Sequence, residues 1–332
     1  MKVAVFSTKD YDREFLGKFN ENYGHEITFF EAPLNEDTAN LAQDFKAICA
    51  FVNDKMDANT LARIAGHGIK LIALRCAGFN NVDLKAAAQN GIEVRRVPAY
   101  SPQAVAEHAV ALIMTLNRKT HKAYNRIREG NFSLEKLLGF NVFGKTVGVI
   151  GTGEIGAAFC NIMLGFGCKV VAYDVQTSEE LSSRGVEYLS LEKLLQRADI
   201  ISIHCPLVPQ TRHLMNSSTF AQMKKGAMLI NTSRGAVIDT QDAVEALKSG
   251  QLGYLGIDVY EQEENLFFRD LSESIIPDDL ISRLIGFPNV LITSHQGFFT
   301  QEALDQIATT TLQNISDFEK GQETANIVRI KK

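Results

Sequence analysis

The stretch that decides the fold class is Thr146-Val147-Gly148-Val149-Ile150-Gly151-Thr152-Gly153-Glu154-Ile155-Gly156. Its first five residues form an apolar run of the kind that makes a buried strand. The next six have the spacing G-x-G-x-x-G, and an apolar helical segment follows. A glycine-rich turn between strand and helix predicts a dinucleotide-binding site, because the free N–H groups at the helix start can bind a pyrophosphate.

Each glycine has a separate task in such a turn. Gly151 permits the tight bend, Gly153 places no side chain between the backbone and the pyrophosphate, and Gly156 lets the helix pack closely on the strand. Asp174 follows the next apolar run, eighteen residues after Gly156. A carboxylate there accepts hydrogen bonds from the ribose hydroxyls and repels a 2′-phosphate, and no arginine follows it at Val175 or Gln176. We therefore expect NAD, not NADP.

Apolar runs alternate with helical patterns on both sides of this motif. The chain from the motif onward has six runs, which is the strand count of a complete dinucleotide-binding sheet: 146–150, 170–173, 200–203, 228–230, 255–257 and 290–293. Five further runs precede it, at 3–6, 27–30, 47–52, 71–74 and 92–94. This alternation is typical of parallel α/β sheets.

The domain boundaries follow from two long helical patterns. One begins at Pro102 after a plausible N-cap at Ser101, and the other covers 301–320, before a short apolar return at 327–330. We expect an α/β protein of two Rossmann-like or flavodoxin-like domains, each a doubly wound parallel sheet, with a cleft between them. Residues 1–100 and 300–332 would form a discontinuous substrate (catalytic) domain, and residues 101–299 the NAD-binding domain.

Composition argues against several other classes of function. The 332 residues carry a net charge of −5 and no run of Lys or Arg, so a nucleic-acid partner is not expected. No stretch of eighteen apolar residues predicts a membrane span, and the N-terminus does not resemble a signal peptide. The five cysteines are scattered without a C-x-x-C pair, so we expect no metal site and no disulfides. These features favour a cytoplasmic protein.

Polar side chains follow the last apolar runs, where a parallel sheet places its ligands. Arg234 follows 228–230, Glu263 follows 255–257 and His295 follows 290–293. Oxidation of a secondary alcohol needs a base for the hydroxyl proton, which His295 can be. The guanidinium of Arg234 is planar and charged, so it can bind a carboxylate and can also polarise a carbonyl. Glu263 can fix which ring nitrogen of the imidazole carries the proton. Glu261 and Glu264 lie beside it and are carboxylates too.

These motifs together resemble the D-2-hydroxyacid dehydrogenase family and, within it, the D-lactate dehydrogenase branch. The resemblance covers nearly the whole chain. It is carried in the second domain by 151–156, Asp174, 231–235, 256–259, Glu263 and 294–297, and in the first domain by 75–83 and 97–102. It implies NAD-dependent interconversion of pyruvate and D-lactate by hydride transfer, in a homodimer or homotetramer.

The same resemblance implies roles for individual residues. Arg234 would bind the substrate carboxylate and carbonyl, His295 would be the general acid/base, and Glu263 would support His295. Asp258 would contact the nicotinamide end of the cofactor. The remaining cofactor contacts would be Gly151, Gly153, Glu154, Ile155, Gly156, Asp174, Cys205, Pro206, Thr211, Thr232 and Ser233. The remaining substrate contacts would be Ala77, Gly78, Tyr100 and Phe298.

The sequence leaves two alternatives open. One is an NAD-dependent dehydrogenase of another D-2-hydroxy acid, such as glycerate or a bulkier hydroxyacid. The other is an NAD-sensing, corepressor-like binding protein on the same fold. The histidines outside the motifs, at 25, 67, 108, 121 and 213, lack a catalytic context and are interpreted as structural.

Overall fold

The computed structural model describes residues 1–330 and contains two compact units. The terminal unit comprises Met1–Ser101 and the segment that begins at Phe299, and the central unit comprises Pro102–Phe298. Each unit is built on its own parallel sheet. The predicted α/β class with doubly wound parallel sheets is confirmed.

The terminal unit has a five-stranded sheet in the order β2-β1-β3-β4-β5, which is the flavodoxin-like order. Its strands are β1 (Lys2–Val5), β2 (Glu26–Phe29), β3 (Ala47–Ala50), β4 (Leu71–Leu74) and β5 (Glu93–Arg96). Strands β3 and β4 are buried throughout, as expected for strands with helices on both faces of the sheet. After the last helix, Ile327 forms an antiparallel bridge with Arg95 of β5.

The central unit has seven parallel strands in the order β12-β11-β10-β9-β6-β7-β8. They are β6 (Thr146–Ile150), β7 (Lys169–Tyr173), β8 (Glu187–Tyr188), β9 (Ile200–Ile203), β10 (Ala227–Asn231), β11 (Leu252–Ile257) and β12 (Val290–Ile292). Six of these match the predicted runs. Strand β8 was missed because it has two residues at the sheet edge, too few to show an apolar pattern. The order of the strands reverses between β6 and β9, where α/β sheets bind nucleotides.

Helices cover both sheets. The terminal unit has α1 (Asp10–Asn20), α2 (Ala58–Gly66), α3 (Leu84–Gln89), α12 (Gln301–Glu319) and the 3₁₀ turn η1 (Ala39–Ala42). The central unit has α4 (Pro102–Arg118), α5 (Thr120–Arg128), α6 (Glu154–Gly165), α7 (Glu179–Ser183), α8 (Leu191–Arg197), α9 (Ser217–Gln222), α10 (Thr240–Lys248), α11 (Asp279–Gly286), η2 (Gly235–Val237) and η3 (Glu263–Asn265).

Two of the helices begin where the sequence predicts. Pro102 opens α4, and Thr300 caps α12 by accepting the N–H of Ala303 at 3.3 Å. Helix α4 packs beside α6 on one face of the central sheet, with Ala109, Leu112 and Ile113 buried. None of the helices in residues 1–330 is long and apolar enough to cross a membrane.

Candidate active site

The strand ends of the central sheet bring the predicted catalytic segments to one edge. Strands β10, β11 and β12 are neighbours, and their registers pair Asn231 with Ile257 and Ile257 with Ile292. Beyond the strands, the Asp258 N–H donates to the Asn231 carbonyl at 3.0 Å, and the His295 N–H donates to the Asp258 carbonyl at 2.8 Å. The segments that carry Arg234, Asp258 and His295 are therefore tied together by their backbones.

His295 and Glu263 form a direct pair. Nδ1 of His295 lies 2.9 Å from Oε1 of Glu263, and the side chains are 19% and 23% exposed. An ionised carboxylate only accepts hydrogen bonds, so the proton lies on Nδ1 and Nε2 is the nitrogen that can exchange a proton with a ligand. His295 has a φ of +52°, a left-handed conformation that a non-glycine residue adopts only when its surroundings impose it.

The loop after β11 holds the Glu263 carboxylate in place. Its Oε2 accepts the N–H of Tyr260 at 2.9 Å. The Tyr260 hydroxyl donates to Asp278 at 2.7 Å, and Asp278 also caps α11. Burial, together with the neighbouring Asp278 carboxylate, raises the pKa of Tyr260, so the phenol keeps the proton that it donates. The orientation of Glu263 therefore depends on α11 as well as on its own loop.

Neighbouring carboxylates on this loop have different partners. Glu261 lies 2.7 Å from Nε2 of His213 and also approaches Arg212. Glu264 is exposed. Among three acidic side chains close in sequence, Glu263 is the one that the structure pairs with His295.

Arg234 lies on a turn that the side chain of Asn231 shapes. The Asn231 amide accepts from Ser233 N–H at 3.0 Å and donates to the Arg234 carbonyl at 2.9 Å. Nη1 of Arg234 donates to the Ser233 carbonyl at 2.7 Å, and its remaining N–H groups can bind a carboxylate. A Cβ on Gly235 would lie 2.0 Å from the Tyr260 carbonyl carbon, so this turn packs directly on the loop that carries Glu263.

The carboxylate of Asp258 is fully engaged inside the central unit. The side chain is 2% exposed. Oδ1 accepts from the Thr293 hydroxyl at 2.5 Å and from Gln296 N–H at 2.8 Å, and Oδ2 accepts from Gly297 N–H at 2.8 Å. Burial works to raise its pKa, but hydrogen bonds from His108 and Thr293 outweigh burial, and the pKa of Asp258 lies below its usual value. The predicted contact of Asp258 with nicotinamide stays a prediction.

The glycine motif forms an open cradle at the start of α6. Gly151 has a φ of +93°, and a Cβ on it would lie 2.6 Å from the Cys205 nitrogen. A Cβ on Gly156 would lie 1.9 Å from the Gly151 carbonyl oxygen, so the helix can approach the strand only with glycine there. A Cβ on Gly153 would meet nothing within 4 Å. No side chain caps α6 at Gly153, so its first N–H groups can bind a phosphate.

Asp174 lies at the end of β7, beside this cradle. Its carboxylate accepts the Thr152 N–H at 2.5 Å and the Gln176 N–H at 3.1 Å. Burial works to raise its pKa, but these N–H groups outweigh burial and hold the pKa of Asp174 below its usual value. An ionised carboxylate with further acceptor positions suits the ribose hydroxyls of NAD.

The other predicted cofactor residues lie around the ends of β9 and β10 and at the start of α6. The backbone of Cys205 packs on Gly151, and the Thr211 hydroxyl donates to the Pro206 carbonyl at 2.6 Å. Glu154 and Ile155 open α6, and Ser233 follows β10. Oγ1 of Thr232 is buried without a hydrogen-bond partner in residues 1–330, as expected of a group that hydrogen-bonds to a bound ligand. The residues present therefore fit a dinucleotide.

The other predicted substrate residues lie outside this edge of the central sheet. Ala77 and Gly78 come just after β4 of the terminal unit, where the Ala77 carbonyl accepts from Arg96 at 2.8 Å. Tyr100 is partly buried near the end of that unit's first segment, and Phe298 is buried at the end of the central unit. Their contribution to substrate binding stays a prediction.

Sequence reasoning missed the residues that support the site. Tyr260 and Asp278 orient Glu263, while Thr293 and His108 contact the Asp258 carboxylate. Thr293 could have been suspected, because it lies at the same strand end as His295. His108 lies on a helix far away in sequence, and no spacing rule links it to the site.

Comparisons with known proteins identify the class to which this site belongs. Residues 110–297 match the family described as D-isomer specific 2-hydroxyacid dehydrogenase, NAD binding domain. A D-lactate dehydrogenase from Escherichia coli (strain K12) is 53% identical over 326 residues, which is 98% of this chain and 99% of the relative.

Solved structures agree over the full length. The structure described as the pyruvate reductase of Chlamydomonas reinhardtii has a TM-score of 0.94 at 46% identity and covers 98% of each chain. A D-lactate dehydrogenase from Aquifex aeolicus, complexed with NAD and lactic acid, has a TM-score of 0.87 at 34% identity and covers 99% of this chain and 100% of the other. With a glycine cradle that fits a dinucleotide and a His–Glu pair at the adjacent strand ends, this chain belongs to the NAD-dependent D-2-hydroxyacid dehydrogenase family.

Proposed function

We propose that this enzyme interconverts pyruvate and D-lactate, with Arg234, Glu263 and His295 as its catalytic residues. The observation that carries the proposal is the pairing of His295 with Glu263, on a backbone framework tied to the turn of Arg234. The names of relatives that match over nearly the whole chain support lactate as the hydroxy acid.

Arg234 would bind the substrate by its charge and its planar fork. The guanidinium holds the carboxylate of a 2-keto acid in two parallel hydrogen bonds, because both groups are planar and oppositely charged. A donor of the same guanidinium can also contact the C2 oxygen, where negative charge develops as the carbonyl is reduced. Nη1 of Arg234 already donates a hydrogen bond to the Ser233 carbonyl, which lowers the entropic cost of holding the guanidinium in one orientation.

His295 would move the proton. NADH, when bound, supplies the hydride that reduces C2, and NAD⁺ takes it back in the reverse reaction. During reduction Nε2 donates a proton to the C2 oxygen, so the C=O bond becomes C–OH, and during oxidation it removes that proton. Glu263 keeps the other ring nitrogen protonated and stabilises the positive charge that the ring carries before it donates.

Other 2-hydroxy acids are the second candidate group of substrates. The aromatic residues Tyr100 and Phe298 are predicted from the sequence to favour a small apolar group such as the methyl of pyruvate. A panel of 2-keto acids with NADH tests this: pyruvate, hydroxypyruvate, glyoxylate, phenylpyruvate and 2-ketoisocaproate. We expect the highest kcat/KM with pyruvate and D-lactate as the product on a chiral column. Highest activity on hydroxypyruvate, or L-lactate as the product, would refute the proposal.

The same experiment separates an enzyme from an NAD-sensing protein. Titration of NADH fluorescence measures binding, while the panel measures turnover. Binding without turnover of any 2-keto acid would favour the corepressor-like alternative.

We also propose that the enzyme is a homo-oligomer. Residues 124–143 expose large apolar side chains, and exposed apolar groups at this density are typical of interaction surfaces: Tyr124, Ile127, Phe132, Leu134, Leu138 and Phe143. Light scattering after gel filtration would show a dimer or tetramer, and a monomer at micromolar concentration would contradict the proposal. The cytoplasmic location stays a prediction.

A further inference from the structure

Helix α4 places His108 beside the buried Asp258 carboxylate. Nε2 of His108 lies 2.9 Å from the Thr293 hydroxyl and 3.3 Å from Oδ1 of Asp258. The His108 side chain is 14% exposed. All three residues belong to the central unit, and His108 is 150 positions from Asp258 in the chain.

The hydrogen-bond directions in this cluster follow from the acceptors. The Asp258 carboxylate only accepts, so the Thr293 hydroxyl donates its single proton to Oδ1. The hydroxyl oxygen can then only accept from His108, which places a proton on Nε2 of that ring. His108 therefore donates toward both Thr293 and the carboxylate and completes the set of donors around Asp258.

Asp258 holds the backbone of the proposed acid/base and of the two residues that follow it. Its carboxylate oxygens accept the N–H groups of Gln296 and Gly297, and its main-chain carbonyl accepts the N–H of His295. His295 has a left-handed φ of +52°, and the free-energy cost of this conformation has to be offset by surrounding contacts. The direction of the imidazole therefore depends on how firmly Asp258 is held.

Gly297 adds a packing contact to the same arrangement. A Cβ on this residue would lie 3.0 Å from Oδ2 of Asp258 and 3.6 Å from Cδ2 of the His108 ring. The backbone of the loop, the carboxylate and the ring thus occupy one small volume. A rotation of the His108 ring would leave both a void beside Gly297 and a missing donor at the carboxylate.

We propose that His108 is a positioning residue for catalysis, which acts through Thr293 and Asp258 to hold the loop of His295 in its productive conformation. The inference rests on the proposed function, because it assumes that His295 is the acid/base. His108 itself does not exchange a proton with the substrate. Its effect should appear in kcat and not in the binding of NADH.

The test compares two substitutions at the same position. In H108L the donor is lost and the volume is similar, while in H108Q the amide nitrogen can still donate at about the place of Nε2. We expect kcat for pyruvate reduction to fall by about tenfold to a hundredfold in H108L, on the scale of a lost hydrogen bond to a charged group. We expect H108Q to recover most of that loss, with KM for pyruvate and Kd for NADH within about threefold of the unsubstituted enzyme in both variants.

A second pair of variants covers the case in which H108L does not fold. T293V removes the bridging hydroxyl and T293S keeps it, so T293V should lower kcat and T293S should not. In each variant kcat is expressed per NADH-binding site, measured by fluorescence titration, so that a loss of folded protein does not count as a loss of rate. A merely structural role would lower the unfolding midpoint with kcat per site unchanged.

Two results would overturn the inference: kcat per site in H108L and T293V within twofold of the unsubstituted enzyme, or H108Q as impaired as H108L. Failure of the proposed function looks different. In that case the unsubstituted protein itself turns over none of the 2-keto acids, although it binds NADH.

Discussion

The Glu263 carboxylate connects the His295 imidazole to the backbone of Tyr260. Oε1 lies 2.9 Å from Nδ1 of the ring, and Oε2 accepts the Tyr260 N–H at 2.9 Å. Both oxygens are therefore used, one to orient the ring and one to fix the carboxylate itself. In the proposed mechanism this relationship defines which ring nitrogen would face the substrate, and it leads to the first prediction.

Replacement of Glu263 by Gln should lower kcat for pyruvate reduction by about 10- to 100-fold, the scale of a hydrogen bond to a charged group. The amide keeps the size but loses the charge that stabilises the protonated imidazole. Steady-state kinetics measure the effect. E264Q, at the exposed neighbour, is the matched control and should leave kcat unchanged. Equal loss in both variants would mean that the loop, not this carboxylate, is responsible.

Replacement of His295 by Gln should lower kcat by about 10²- to 10⁴-fold, the range that general acid–base catalysis supplies. Glutamine can still hydrogen-bond to Glu263, but it cannot donate a proton to the substrate. The Kd for NADH, measured by fluorescence, should stay within twofold. If H295Q keeps more than a tenth of the original kcat, another group moves the proton.

Replacement of Arg234 by Lys should raise KM for pyruvate and lower kcat/KM by about 10- to 100-fold, because an ammonium cannot form the two parallel hydrogen bonds of a guanidinium. R197K is the control, since Arg197 pairs with Glu187 on the surface. The measurement is a pyruvate saturation curve at fixed, saturating NADH. An unchanged KM would place the substrate carboxylate on a different residue.

Replacement of Asp174 by Ala should shift the cofactor preference toward NADPH. The carboxylate is ionised at neutral pH because the N–H groups of Thr152 and Gln176 keep its pKa below the usual value despite burial. Its removal would take away the predicted hydrogen bonds to the ribose and the predicted repulsion of a 2′-phosphate. The ratio of kcat/KM with NADH to that with NADPH should fall by about tenfold or more. D37N, on the surface of the terminal unit, should leave the ratio unchanged.

The stability of the central unit should fall in mild acid because of His204. Its Nε2 lies 2.9 Å from the Ser202 hydroxyl and its ring lies 4.9 Å from that of Phe159. Burial lowers the pKa of His204 to about 3. The unfolded chain binds this proton near pH 6.5, so the residue's contribution to stability is complete above about pH 6.5 and is lost as the pH falls toward 3.

Urea unfolding at pH 7 and pH 5 measures this loss. The contribution of His204 should decrease by about 2 kcal/mol between these two pH values, at about 1.4 kcal/mol per pH unit below 6.5. H204Q, which cannot titrate, should lose that much less stability over the same interval. H67Q, at a surface histidine, is the control and should behave as the unsubstituted protein. Equal losses in H204Q and the unsubstituted enzyme would contradict the prediction.

Much of the fold was readable from local pattern. Buried parallel strands are continuous apolar runs, so all six predicted strands of the central sheet were found, while the two-residue edge strand Glu187–Tyr188 was not. The nucleotide cradle was equally readable, because the tight turn, the close approach to phosphate and the helix packing each require a glycine within six consecutive residues.

Tertiary structure was needed to show the partners of similar side chains. The sequence predicts Glu263 as the partner of His295 although Glu261 and Glu264 lie beside it, and only the structure shows that Glu261 pairs with His213 while Glu263 pairs with His295. From the sequence His108 is interpreted as a structural histidine, and only the packing of α4 places it beside Asp258. The reason is physical: strand and turn signals depend on neighbours along the chain, whereas the partner of a polar side chain depends on which distant segments the folded sheet brings within 3 Å.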